Sequence, residues 1–354
     1  VGELIKNDVL SRSSQLPEQE LDRIEKEVWQ PFLQKFGDPD RKLFDTYLFP
    51  YGLIRLNPNV KKGDVYRLLR ADWTERDLTT EGIIAELSIH QDEFLDLIDG
   101  QNRCDFQEPL KSQVARLARV KLPTMMASFV VRVLHECRIG NVSIGEGEEC
   151  LRYVESFIVR RGAFGLEPSG LHAAFKGMWL DVQDVKKKAH EKGEPTPSLA
   201  RAFADNIGRR PTVKWPNSHE FAESLRDRSL YGSKVTRYIL TEFNRHLPGD
   251  AVNITGVEIE HILPQTMSTS WKELFSESDH RQHVDRLANL TLLTEPMNQA
   301  VSNGGYGNKR AVYRDSKYAM TRQIAATYEE WTIEQINIRA EELVTWALAR
   351  WPEE

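Results

Sequence analysis

Apolar residues return every three or four positions along most of the first 245 residues, the period of helices that turn one face to a core. In "LPEQELDRIEKEVWQPFLQKFG", Leu21, Ile24, Val28 and Phe32 keep that interval and predict an amphipathic helix ending near Gly37. The run "TTEGIIAELSIHQDEFLDLIDG" predicts another, with Gly100 as its C-cap. "VARLARVKLPTMMASFVVRVLHECRIG" is more apolar and reads as a central core helix whose start is set by Pro123. "GEECLRYVESFIVRRGAFG" reads as a helix closed by Gly162 and Gly165, and "KKKAHEKGEPTPS" as a charged, solvated loop. "SLYGSKVTRYILTEFNRHLPGD" gives one more helix before the break at Pro248-Gly249.

Beyond that break the pattern changes. "AVNITGVEIEHIL" is rich in β-branched residues and predicts a strand, and "LANLTLLT" predicts a second. A helix is expected to start near Pro296, since proline is tolerated in a first turn. In the tail "TIEQINIRAEELVTWALARW", Ile333, Ile336, Ile338, Leu343, Val344 and Trp346 are expected on one broad apolar face. The expected fold class is therefore mainly α. A large helical domain, 1–250, precedes a small mixed domain, 251–354, with two strands and additional C-terminal helices.

Composition narrows the classes without choosing among them. At 40% hydrophobic and 28% charged, the chain is an ordinary globular one, with no apolar run approaching a membrane span. It begins at Val1 without a basic-then-apolar leader, which predicts no signal peptide and a piece of a longer protein. Cys104, Cys137 and Cys150 form no CxxC pair, which points to a reducing cytoplasm and away from a thiolate zinc site. A net charge of -6 gives no global attraction to DNA, so contact with nucleic acid must come from local basic patches.

The chemistry concentrates after residue 250. "VEIEHILPQT" sets Glu260 beside His261 at the end of an apolar run. A one-metal phosphodiesterase needs a base for water, oxygen ligands for the ion, and positive charge beside the leaving oxygen. Histidine titrates near neutrality and suits the base, while a hard divalent ion prefers carboxylate and amide oxygens. Asn289 opens the second predicted strand and Asn298 lies in the first turns of the next helix. Both amides reach toward His261 if strands and helix form a compact ββα unit. Lys309, Arg310, Arg314 and Lys317 form a basic run on the following segment and are expected at DNA phosphate, Lys309 first.

"EHILPQ", "NLTLLT" and Asn298, nine residues after Asn289, resemble the HNH (His-Me finger) nuclease motif. The resemblance implies that Glu260 and Asn298 bind the metal, one Mg2+ or Mn2+. His261 would be the general base, and Asn289 would steady the histidine or its loop. "LANLTLLTEPMNQAVSNGGYGNKRAVYRDSKYAMT" further resembles the C-terminal domain of GmrSD-type restriction enzymes and the related SspE-type effectors of phosphorothioate-based phage defence. Their N…K…Y…S…T continuation stands here as Asn303, Lys309, Tyr313, Ser316 and Thr321. Ala288 replaces the usual glycine, and the usual aromatic is Tyr306, three residues before the lysine. "ELIKNDVL", "YVESFIVRRGAFG" and "SLYGSKVTRYIL" resemble segments leading into that domain. The implied partners are double-stranded DNA and an N-terminal NTP-using sensor domain. The implied setting is bacterial or archaeal cytoplasm, without a membrane. One such site cuts one strand, so nicking is the expected product; a double-strand break needs a second copy, as in a homo-oligomer, or a second visit.

Other features carry rival readings. "DGQNR", Asp99 to Arg103, echoes a nucleotide motif but reads better as a helix-capping turn. Arg160 and Arg161 suit DNA contact or internal pairing equally, and His280 with His283 is better read as a surface helix than as a zinc pair. Trp331, Trp346 and Trp351 are expected as core anchors. Against the nuclease stands a helical scaffold with a decayed HNH fold that binds DNA or a partner without cutting; a plain nonspecific nuclease is a further rival.

Overall fold

Helix forms almost wherever the sequence carries a 3.6-residue period, and the computed structural model, which describes residues 2–12, 16–37, 42–167, 170–249 and 256–353, is mainly helical. The chain divides into two compact units. One comprises Val1–Val154 with Pro168–Lys214; the other, Glu155–Glu167 with Trp215–Glu354.

In the first unit the helices are shorter and more numerous than the periodicity alone predicts. The 18–34 segment contains a π-helical turn, Ile24–Trp29, that buries the residues at both its ends. The stretch from Thr80 breaks into Thr80–Ser88 and Gln91–Asp99, with His90 at the junction, and Gly100 closes the second helix at φ 73°. The expected central helix is also two. Leu110–Val120 ends on Lys121 at φ 58°, and Ala127–Arg138 starts after Pro123 and one 3-10 turn. The expected charged loop is helical as far as Glu191, because its lysines, alanine and glutamate are good helix formers. Pairs four residues apart add to this, Lys188 with Asp184 at 2.6 Å among them. The "DGQNR" turn is indeed a cap: Arg103 donates to Asp99 at 2.6 and 2.7 Å and to Asp96 at 3.2 Å.

The second unit begins earlier than a boundary at residue 250. Helix Ser218–Asp227 packs on the C-terminal helix Ile333–Arg350, and helix Thr236–His246 packs on the sheet and on helix Ala319–Thr327. Phe221, Leu225, Ile239, Leu240 and Phe243 are buried there, which ties both helices to the C-terminal part. Residues 155–167 join the same unit through polar groups. The buried Glu155 carboxylate accepts from Tyr238 Oη at 2.7 Å, Trp351 Nε1 at 2.7 Å and Arg350 Nη2 at 2.8 Å. Arg160, fully buried, donates to the carbonyls of Trp351 and Pro216, and Arg161 to that of Glu167. Both arginines are buried and hold backbone carbonyls.

β1 (Val257–His261) and β2 (Leu290–Thr294) pair antiparallel, with Val257 opposite Thr294 and His261 opposite Leu290. Residues 251–255, the start of the expected first strand, lie outside the described residues. Helix Glu295–Val301, with Pro296 in its first turn, packs against both strands. In the C-terminal helix Ile336, Leu343 and Val344 are buried, but Ile338 is 52% exposed. Two residues after Ile336 the helix has turned by about 200°, and the buried position goes instead to Arg339, which donates to the carbonyls of Ala288 and Leu290. Trp331 and Trp351 are fully buried, and Trp346 is half-buried against Phe243 and Trp351.

Gly162 lies inside helix Ile144–Phe164 instead of closing it; Gly165, at φ 81°, does that. A Cβ on Gly162 would stand 2.4 Å from Val235 Cγ1. Overpacking costs about 1–3 kcal/mol, against about 1 kcal/mol gained from alanine in a helix. Gly162→Ala is therefore expected to lower stability in urea unfolding. An unchanged or raised midpoint would sink this packing account.

Candidate functional site

Glu260 and His261 are the last two residues of β1, and the strand pleat sends their side chains to opposite sides. Both are buried, each 6% exposed. Glu260 points under helix Tyr306–Arg314. Its Oε1 accepts from Lys309 Nζ at 2.6 Å and from Tyr313 Oη at 2.9 Å. Lys309 has no exposed surface, and its ammonium also donates to the His261 carbonyl at 2.7 Å. Burial pushes the Glu260 carboxyl up and the Lys309 ammonium down, and the attraction of each for the other opposes both shifts. Three close donor–acceptor contacts at 2.6–2.9 Å fit the charged pair. Burial and the adjacent Glu260 charge keep the Tyr313 phenol protonated, so it donates.

Lys309 is thus not placed at phosphate. It shares an inward face with Tyr306 and Tyr313, three residues before it and four after. Arg310 is half-buried and donates to the Ala325 carbonyl at 2.9 Å. Arg314 and Lys317 are exposed and remain the members of the basic run open to a large anion.

On the other side of β1, His261 Nε2 lies 3.0 Å from Asp285 Oδ1, and the Tyr231 ring meets the imidazole edge-on at 4.3 Å between centroids. Burial pulls the imidazole below its ordinary value; the Asp285 carboxylate opposes that pull, and Lys309 adds to it. Neither Asp285 nor Tyr231 stands out in the sequence. They meet because the amides of Leu230 and Tyr231 both donate to the Asp285 carbonyl and Ser229 bridges to Arg286. The only local sign of Asp285 is its place four residues before Asn289.

Asn289 is fully buried and its amide is wholly committed. Oδ1 accepts from Leu263 N at 2.8 Å and Trp331 Nε1 at 3.0 Å; Nδ2 donates to the carbonyls of Leu263 at 2.9 Å and Val284 at 2.8 Å. It braces the loop leaving β1 and is not brought to the reacting region. His280 adds to the brace, its Nε2 2.8 Å from the Pro264 carbonyl, while His283 Nδ1 meets the Asp279 carbonyl at 2.8 Å. Those contacts give both histidines structural duties. Thr321 ties helix Ala319–Thr327 to β2 through the Leu292 carbonyl at 2.6 Å and Thr291 Oγ1 at 2.8 Å. Ser316 is buried and accepts from Tyr318 N at 3.2 Å, and Asn303 is exposed.

Asn298 is half-exposed on helix Glu295–Val301, and its side-chain amide makes no hydrogen bond among the described residues. Its helix packs on the strand that carries Glu260. One carboxylate and one uncommitted amide oxygen fit a hard divalent ion that keeps several waters. The fit requires the Glu260 carboxylate to serve both the ion and Lys309.

Residues 215–346 match the family of GmrSD restriction endonucleases, C-terminal domain. That match supports the GmrSD-type resemblance of this part of the chain and points to a restriction-endonuclease family. It starts at the helix that opens the main segment of the second unit and so takes in Tyr231 as well as the strands. No curated protein matches the chain.

Asn289→Ala would strand three buried groups, the amide and carbonyl of Leu263 and the Trp331 indole, and the part-buried Val284 carbonyl. At about 1–3 kcal/mol for each unsatisfied buried group, with partial relaxation, the total cost is expected to be about 3–5 kcal/mol. Urea unfolding beside the wild type measures it; a loss below about 1 kcal/mol would mean that the amide is no brace.

Proposed function

From that family match we propose that the second unit is a metal-dependent DNA endonuclease of the HNH (His-Me finger) type, with a ββα core formed by β1, β2 and helix Glu295–Val301. The observation that carries the reading is His261 at the end of β1, drawn toward its neutral form by burial and aligned by Asp285. An imidazole that gives its Nε2–H to Asp285 keeps its lone pair on Nδ1, where it can accept a proton from water. The hydroxide so formed attacks phosphorus, and the bond to the 3′ oxygen breaks. Glu260 and Asn298 would hold one Mg2+ or Mn2+, which stabilises negative charge on the phosphoryl and leaving oxygens. Asn289 acts at one remove, by fixing the loop that follows His261. Arg314 and Lys317 offer exposed charge to the DNA backbone, with Arg310 beside them.

Nicking of double-stranded DNA is the expected product of one site. The broader proposal is an effector of modification-linked phage restriction, gated by an N-terminal NTP-using sensor domain. The non-catalytic scaffold remains the second reading, and one observation favours it: Lys309 already compensates the charge of Glu260.

Supercoiled plasmid with Mg2+, Mn2+ or EDTA separates these readings. Wild type is expected to make open circles only with metal, with at least about 100-fold loss in His261→Ala, the scale of general-base catalysis. Asn298→Ala should raise the metal concentration needed. If the wild type neither nicks nor binds a divalent ion by calorimetry, the scaffold reading takes over.

The pH dependence has a definite sign. A base whose pKa is lowered by burial stays active until pH falls through that lowered value, so the acid limb should lie below about 6.5, the ordinary histidine value. Asp285→Asn removes the carboxylate that holds the pKa up. Its acid limb should shift to lower pH while the plateau rate falls from poorer alignment. A pH–rate profile of both proteins checks this, and a limb that stays put would remove Asp285 from the site.

A further inference from the structure

In the first unit, His90, Glu93 and His135 bring their ligand-type atoms within 4.8 Å of one another. His90 precedes helix Gln91–Asp99 and Glu93 lies three residues later, on the same side, while His135 comes from helix Ala127–Arg138 packed against it. The rings of His90 and His135 meet edge-on at 4.4 Å. Glu93 has no exposed surface and His90 is 6% exposed. Two polar atoms of this cluster have no hydrogen-bond partner among the described residues: His90 Nδ1 and Glu93 Oε2. A buried atom of either kind without a partner costs about 1–3 kcal/mol, and an electrophile bound between these two would satisfy both.

We propose that His90, Glu93 and His135 form a zinc site that ties these two helices together. Two imidazoles and one carboxylate are a recurrent zinc donor set with one position left open. Imidazole donors disfavour magnesium and calcium, which take oxygen. Zinc bonds of about 2.0–2.2 Å require closer donor atoms than the 4.8 Å envelope, a contraction within reach of side-chain rotation. Glu93 is already divided for the purpose. Its Oε1 meets His135 Nδ1 at 3.0 Å and Arg138 Nε at 2.8 Å, while Oε2 has no hydrogen bond among the described residues. Arg138 is the competitor: its guanidinium also reaches the Ile89 carbonyl at 2.7 Å and comes within 3.4 Å of His135 Nδ1. Its side chain is 32% exposed, so it can turn outward when the ion enters.

The test uses the whole chain carrying Asn298→Ala, which removes one of the two ligands proposed for the nuclease site and so weakens any ion there. Equilibrium dialysis with Zn2+ should find one ion per chain, and Co2+ in its place should give the intense visible bands of a four-coordinate site. His135→Gln, which keeps a hydrogen bond to Glu93 but loses the imidazole, should weaken zinc at least tenfold. Arg138→Gln removes a competing positive charge and should tighten zinc several-fold. If His135→Gln fails to fold, judged by circular dichroism, the Arg138→Gln result still decides. The proposal is overturned if no stoichiometric zinc binds, or if Arg138→Gln leaves the affinity unmoved. In either case the cluster is only a buried ion network. Loss of plasmid nicking bears on the other unit and has no part in this outcome.

Discussion

The geometry around β1 depends on one side-chain amide. Asn289 is the point at which the loop after His261, the turn into β2 and the Trp331 indole are joined, and three of its four bonds are buried. In water each of these groups would find other partners; inside the protein only one side chain can supply two acceptor and two donor contacts in this shape. The fixed loop holds the end of β1, and that end directs Glu260 and His261 to opposite sides. Beside it, Ala288 is buried and its carbonyl is held by Arg339.

The second unit is also held by charges set deep inside it. Glu155, Arg160, Arg286 and Arg339 each make hydrogen bonds to backbone carbonyls or to other polar side chains of the unit. A buried charge without such partners would be very costly. These long-range bonds explain why residues 155–167 and 215–250 belong with the strands although the sequence texture changes only at Pro248. Texture records local backbone preference, while the unit is defined by what packs and bonds across it.

Local preference was readable where packing agreed with it. The helices, the two strands, the proline-led helix at 295 and the glycine caps at 100 and 165 all follow from periodicity and turn chemistry. The helix break at His90 is not readable, because apolar spacing continues across it, whereas the break after Val120 is marked by Pro123. For the candidate site, the spacing of Glu260, His261, Asn289 and Asn298 was legible and the partners of His261 were not. Asp285 and Tyr231 are joined by backbone pairing across more than fifty residues, and no local pattern announces such a pairing. The structure places Lys309 away from the expected solvent face for a different reason. A basic run reads as a solvated face, yet the tyrosines three residues before and four after it mark the inward side of the same helix. That signal was present at helical spacing and outweighs the charge.

The Lys309–Glu260 pair has one more consequence, which concerns salt. Bulk salt screens a pair with so little exposed surface only weakly, so its attraction persists at ionic strengths that screen exposed charges over about 8–10 Å. Arg314 and Lys317 stand in the opposite situation, with solvent around them. Rising salt would weaken whatever those two residues attract while leaving the interior charge balance beside His261 as it was. Ionic strength therefore acts on the approach of a polyanion to this surface and not on the electrostatics beneath it.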